Sequence, residues 1–302
     1  MTVDLTDRVA LVTGAGGGLG RAHALLLAAR GAAVVVNDLG GDVHGVGSGA
    51  TAADAVVDEI RSAGGVAVAD HGSVSDPADA AAMVQRAIDE LGGLDILVNN
   101  AGILRDRSFA KMEWDDVAAV LAVHLEGAFR VTGPAFAHMR EQGYGRIVMT
   151  SSGSGVMGNF GQANYAAAKM GQVGLMNVLK LEGAKHGITV NAIAPIARTR
   201  MTEDVFGDAV THFDPELVAP VVGYLASEEC AVNGEIWSVG GGSVSRFFIG
   251  LTDGWFKHPT RDGLLTPDDV ADHVDEIRNE TGYTVPFSSQ DEFLKLGPKL
   301  LG

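Results

Sequence analysis

Short apolar runs alternate with longer amphipathic ones along this chain. Arg8–Thr13 reads Arg-Val-Ala-Leu-Val-Thr, a compact apolar stretch suited to a strand buried on both faces. Comparable runs place strands near residues 8–13, 33–38, 66–70, 94–99, 145–151, 188–194 and 235–239, with helices between them. The longest helix is expected from about Asn164 to His186. Strand and helix in alternation argue for an α/β fold: a doubly wound parallel sheet of about seven strands, flanked by helices. At 302 residues the chain can bury one sizeable core, and one elaborated domain accounts for it.

The pattern changes after Gly240-Gly241-Gly242. Trp255, Phe256, Leu264 and Leu265 precede Pro267-Asp268-Asp269-Val270, which reads as a helix start with Thr266 as its N-cap. Val270, Val274 and Ile277 would share the apolar face of that helix. We therefore expect a main domain over residues 1–242 and an ordered C-terminal extension, 243–302, packed on it.

The first strand runs into Gly14-Ala15-Gly16-Gly17-Gly18-Leu19-Gly20, and an apolar helical pattern follows from Arg21 to Arg30. Strand, glycine turn and helix form the context of a dinucleotide site. The glycines let backbone approach a pyrophosphate, and the helix N-terminus offers N–H donors and positive dipole. The second strand ends at Asp38, where a carboxylate suits a ribose 2′-hydroxyl and repels a 2′-phosphate. No Arg or Lys lies in the glycine turn to offset that charge, so the expected cofactor is NAD rather than NADP.

Tyr165 and Lys169 are four residues apart within the longest helix, so they share one face. A cation beside a phenol favours phenolate and lowers the phenol's pKa. Ser152, at a strand end upstream, can hold a substrate oxygen next to the tyrosine. Such a trio moves a proton at an alcohol or carbonyl. Beside a hydride carrier it becomes a redox site.

A net charge of −16 disfavours nucleic acid and anionic membranes as partners, and the alcohol or carbonyl chemistry of the trio implies a small-molecule substrate. A local basic clasp for phosphates could still be built from Arg105, Arg107, Arg198, Arg200 or Arg246. The single cysteine, Cys230, excludes an intrachain disulfide and a thiolate metal cluster, and the histidines show no metal spacing. Asp4, Asp7 and Arg8 break any N-terminal signal pattern, and the last residues are not of the Ser-Lys-Leu type. No apolar run is long enough to span a bilayer, so a cytoplasmic protein is expected.

Thr13-Gly14-x-x-x-Gly18-x-Gly20, Asn99-Asn100-Ala101-Gly102, Ser152 and Tyr165-x-x-x-Lys169 together resemble the short-chain dehydrogenase/reductase family, in order and spacing. The resemblance covers at least residues 5 to 242. It implies a Rossmann-type core with Ser152, Tyr165 and Lys169 as catalytic residues. It also implies an NAD site formed by Gly14, Gly18, Leu19, Gly20, Asp38, Ser73, Val74, Asn100, Ala101, Gly102, Tyr165, Lys169, Pro195 and Thr199. Lys169 would hold the nicotinamide ribose, Ser73 and Val74 would meet adenine, and Thr199 would reach the carboxamide.

The segments 36–50, 100–109 and 158–164 resemble a subgroup, the dehydrogenase units that oxidise (3R)-hydroxyacyl-CoA esters and, more slowly, 17β-hydroxysteroids. The activity this implies is NAD-dependent oxidation of a secondary alcohol to a ketone, with a 3-hydroxyacyl-CoA as substrate. A free 17β-hydroxysteroid and a 3-oxoacyl-carrier substrate are the alternatives, the latter disfavoured by Asp38. A non-catalytic NAD-binding module would lack the tyrosine or the lysine, and both are present. A homodimer or a tetramer is implied by the resemblance as well.

Two positions depart from the family pattern. His124 stands where most members carry Asn, and we include it among the catalytic candidates because imidazole can relay a proton or order a water. Pro195-Ile196 replaces Pro-Gly, and Ile does not take the positive φ open to Gly. Beyond that point, Met201, Val205, Phe206, Val210 and Phe213 suit an amphipathic lid over a hydrophobic substrate.

Overall fold

The computed structural model describes residues 2–197 and 212–301, and the chain divides into two compact units, 1–247 and 248–302. In the first unit the apolar runs form strands and the amphipathic ones cover them. In chain order come β1 (Val9–Thr13), α1 (Gly18–Ala29), β2 (Ala33–Asn37), α2 (Thr51–Ser62), β3 (Ala67–Asp70), α3 (Pro77–Leu91) and β4 (Ile96–Asn99). Next are α4 (Trp114–Leu121), α5 (Gly127–Gln142), β5 (Gly145–Thr150), α6 (Gly153–Met157), α7 (Ala163–Gly183) and β6 (Ile188–Pro195). The unit ends with α8 (Ala219–Leu225), β7 (Ile236–Gly240) and β8 (Ser243–Phe247).

The strands join one eight-stranded sheet in the order β3-β2-β1-β4-β5-β6-β7-β8. All pairs are parallel except β7–β8, which is antiparallel. The expected doubly wound sheet is thus observed, with one strand more than the pattern predicted. The residues of β8 are mostly exposed, so no apolar run marks that strand. One apolar layer packs Ala24 and Leu27 of α1, Val56 and Ile60 of α2 and Val222 of α8 against one face. The other packs Met83 of α3, Val131 and Met139 of α5 and Val173 and Met176 of α7 against the opposite face.

Strand order reverses at β1, whose neighbours are β2 and β4. Open α/β sheets place their ligand crevice beyond the carboxyl ends of strands at such a switch point. Local chemistry sets the ends of the flanking helices. Asp76 caps α3 by accepting from Ala78 N and Asp79 N, Pro77 fills its first turn, and Gly92 closes it at φ +91°.

At Pro195-Ile196 no left-handed residue is needed. Ile196 N donates to Val239 O at 2.8 Å, continuing the ladder with β7. Of the lid residues, Met201, Val205, Phe206 and Val210 lie outside the described residues, as does Thr199 before them; Phe213 is described, its ring beside Gly241, where a Cβ would be 3.1 Å from Cε1.

In the second unit Thr266 caps a helix as expected, in a reciprocal capping box with Asp269. That helix is short, however. It breaks at His273 into α9 (Pro267–Asp272) and α10 (Val274–Arg278), and Val270 and Val274 are exposed rather than packed along one long face. His273 causes the break: its ring stacks on Trp255 with centroids 3.9 Å apart, and its Nδ1 bonds Asp269 O at 2.7 Å. The last helix, α11, spans Ser289–Leu301.

Candidate active site

Beyond the carboxyl ends of β1, β4, β5 and β6 lies a cleft of about 730 Å³. Every candidate site residue that the structure describes lines it: the glycine turn, Asp38, Ser73 and Val74, Asn100 to Gly102, His124, Ser152, Tyr165, Lys169 and Pro195. Thr199 is outside the described residues.

At one end the glycine turn follows β1. Gly14 has φ +64°, and a Cβ on Gly20 would fall 2.1 Å from Gly14 O, so only glycine fits there. Asp38 lies opposite. Its Oδ2 accepts from Gly16 N at 2.8 Å and its Oδ1 from Gly40 N at 2.7 Å, which fixes the carboxylate against the turn. Asn100 binds protein at this point, since its Nδ2 donates to Thr13 O at 2.9 Å and Gly14 O at 3.0 Å. It clamps the exit of β4 to that of β1. A pocket combining a bare backbone turn with a fixed carboxylate at the end of β2 fits the diphosphate and ribose of a dinucleotide.

At the other end, Ser152 ends the β5 segment and starts α6, where its Oγ accepts from Ser154 N at 3.1 Å. Tyr165 and Lys169 come from the first turns of α7, and the Lys169 Nζ lies 5.5 Å from the phenol ring centroid. Lys169 is fully buried and donates to Thr150 O at 2.6 Å. Burial lowers its pKa to about 7.

The tyrosine departs from expectation. Burial is the main influence on the Tyr165 phenol and pushes its pKa up, with a hydrogen bond to Ser152 acting the other way. Desolvation of the buried phenol outweighs the lowering expected from Lys169.

His124 sits in a π-helical turn, Ala122–Glu126, between α4 and α5. Such turns concentrate at functional sites. The imidazole meets the Tyr165 ring edge-on, with centroids 5.2 Å apart. Its Nε2 lies 2.8 Å from Ile103 O and 2.9 Å from Ile103 N, while Nδ1 is buried without a partner. Burial first, then the Lys169 charge, holds the imidazole well below its ordinary pKa, so it is neutral. Gly102 makes room for it, since a Cβ there would lie 2.3 Å from His124 Cε1.

Two further side chains support this end of the cleft. Asn164 Nδ2 donates to Arg105 O at 3.0 Å, anchoring the turn before Tyr165. Gln172 Nε2 donates to His124 O at 2.7 Å and braces the π-turn. Neither belongs to the motif pattern. Gln172 is three residues beyond Lys169 on α7, so helical spacing was the available signal. The arginines considered for phosphate are engaged with carboxylates: Arg105 with Asp116 at 3.7 Å, Arg107 with Glu113 and Asp116 at 3.1 Å, and Arg246 with Glu235 at 3.4 Å. Arg198 and Arg200 are outside the described residues. Among those residues no group of acidic, histidine or cysteine side chains could hold a metal ion, and no helix is long and apolar enough to cross a membrane.

Residues 8–209 match the short chain dehydrogenase family. The chain belongs to that family. It is an oxidoreductase acting on CH–OH groups.

Over 285 residues the chain is 50% identical to the peroxisomal multifunctional enzyme type 2 of Mus musculus, covering 94% of this chain and 38% of that one. It thus spans well under half the length of that relative. It is 45% identical over 264 residues to the hydroxyacyl-CoA dehydrogenase ChsB1 of Mycobacterium tuberculosis, covering 81% of this chain and 80% of the other. The structure of full-length peroxisomal multifunctional enzyme type 2 from Drosophila melanogaster superposes with a TM-score of 0.84 at 40% identity, over 99% of this chain and 50% of that one.

Proposed function

We propose that this oxidoreductase converts a (3R)-hydroxyacyl-CoA ester to the 3-oxoacyl-CoA with NAD, the acyl group being fatty or steroidal. The observation that carries this reading is one cleft lined by the glycine turn with Asp38 at one end and by Ser152, Tyr165 and Lys169 at the other. The acyl-CoA class is supported by the hydroxyacyl-CoA dehydrogenase among its relatives.

The glycine turn and the α1 N-terminus would hold the diphosphate of NAD, and Asp38 the adenosine ribose. Lys169 would hold the nicotinamide ribose. When bound, nicotinamide supplies the hydride acceptor. The protein's own residues manage the alcohol. The Ser152 hydroxyl positions the substrate oxygen, and Tyr165, as phenolate, would take the hydroxyl proton as hydride leaves the carbon. The neutral His124, held by Ile103 and edge-on to the phenol, keeps the tyrosine ring in place.

Asp38 separates this reading from NADP-dependent carrier-protein reduction, because its carboxylate would face a 2′-phosphate. We place the enzyme in the cytoplasm and expect a homodimer, with a tetramer as the alternative. The substrate test follows reduced-cofactor formation with NAD or NADP and three alcohols: a (3R)-hydroxyacyl-CoA, its (3S) epimer and a free 17β-hydroxysteroid. Rapid turnover of the (3R) ester with NAD alone is the expected result. Preference for the free steroid, or for NADP, would overturn the assignment.

A further inference from the structure

The glycine-rich segment after Asp38 is not used by the chemistry above. It leaves β2 and returns to α2, and its neck is closed. Gly49 N donates to Leu39 O at 2.9 Å, and a Cβ on Gly40 (φ +77°) would fall 2.0 Å from Gly49 O. Asp42 shapes the tip, because its Oδ1 accepts from His44 N and Val46 N, each at 2.9 Å.

The loop is then tied to the exit of another strand. Leu104 N donates to Val43 O at 2.9 Å. His44 Nδ1 lies 3.0 Å from Leu104 O, and a carbonyl only accepts, so this nitrogen carries the proton. Arg105 Nε donates to His44 O at 3.2 Å. Gly45 lies against Ile103, where a Cβ would be 3.2 Å from Cδ1 and Cγ2.

Topology gives these contacts their meaning. β2 and β4 are not neighbours in the sheet, because β1 lies between them. A loop that leaves β2 and bonds to the segment after β4 must cross the carboxyl end of β1, where the glycine turn begins. Leu39, Val43 and Gly45 accordingly line the same cleft as Gly14 and Gly20. None of these loop residues is part of the dinucleotide motif.

We propose that residues 39–49 are a further cofactor-binding element: a strap across the dinucleotide half of the cleft, clasped to Leu104 and Arg105 through Val43 and His44, that retains the bound cofactor. The proposal rests on the NAD reading above. A dinucleotide beneath the strap leaves only after the clasp opens, so loop opening limits release of the reduced cofactor.

The test uses the full chain and three proteins: wild type, His44→Ala, and a variant lacking residues 41–48. The deletion suits the neck, since the Cβ position of Gly40 is already 2.6 Å from Gly49 N. NADH affinity is measured by fluorescence titration. NADH release is measured by stopped-flow displacement with excess NAD, and folding is checked by melting curves. The deletion is expected to speed release about tenfold or more, and His44→Ala about threefold, the scale of lost hydrogen bonds at their usual net strength. Folded variants that release NADH at the wild-type rate would overturn the strap while leaving NAD dependence standing. Should the deletion fail to fold, His44→Ala, which removes a single side chain, decides alone by the same comparison. Failure of the wild type to bind NADH would overturn the cofactor reading and the strap with it.

Discussion

Tyr165 and Lys169 show how burial reshapes a motif. The phenol is pushed up by desolvation, so its basic form is scarce at neutral pH. Alcohol oxidation should therefore accelerate as pH rises above neutrality, and the reverse reduction, which needs the protonated phenol, should slow. Tyr165→Phe removes the proton acceptor without changing the shape of the cleft. We expect turnover to fall about 10²–10⁴-fold, the usual weight of a positioned acid or base, with NADH affinity retained in a fluorescence titration.

Lys169 makes a separate prediction about stability. Its folded pKa of about 7 lies below the unfolded value of 10.5. Between those values the unfolded chain binds the extra proton, so this group's contribution to stability rises with pH across that window. Below about pH 7 both states are protonated and its burial penalty is complete. Denaturant titrations of wild type and Lys169→Met at pH 7 and pH 9 should differ in slope. The wild type gains stability relative to the variant as pH rises, and equal changes in the two proteins would contradict the neutral buried lysine.

At the scale of elements, the glycine turn separates positions that need glycine from positions that only contain it. Gly20 has Gly14 O where its Cβ would go, whereas nothing lies within 4 Å of a Cβ on Gly17, whose φ of −169° any residue adopts. Gly20→Ala should abolish dinucleotide binding, and Gly17→Ala should leave the NADH dissociation constant within about twofold, since an added methyl meets no atom there. Equal losses in the two variants would mean that the turn tolerates no side chain for reasons other than packing.

This distinction was only partly legible beforehand. The strand–turn–helix pattern located the turn, and the spacing of Gly14, Gly18 and Gly20 marked which glycines matter. The π-turn at His124 was not visible, because the family pattern marks His124 only as a substituted position and says nothing of where the helix gains an extra residue. The strap was visible only as a glycine-rich insertion. Its hydrogen bonds to 104–105 join segments about sixty residues apart, and no local periodicity encodes such a pairing. The direction of the Tyr165 pKa differs from expectation for a related reason: helical spacing brings a lysine near, but it does not report the depth at which the phenol is buried, and that burial dominates.

At the scale of the whole molecule, the two units differ in what holds them together. Among the described residues, three apolar clusters form, and all their members lie at or before Phe247. They include central strands and helices from both faces of the sheet, which is sufficient for an independent fold. Among the described residues of 248–301 none is buried, and Phe293, Leu294 and Leu301 are 73%, 67% and 91% exposed. A segment of that size without a dry interior cannot offset its chain entropy alone. The chain divided at Phe247 should therefore give unequal pieces. Residues 1–247 are expected to unfold in one cooperative transition by calorimetry, and residues 248–302 to show no transition. Cooperative melting of the isolated 248–302 piece would mean that its capping box, the Trp255–His273 stack and the Leu251–Thr284 bridge suffice without buried apolar area.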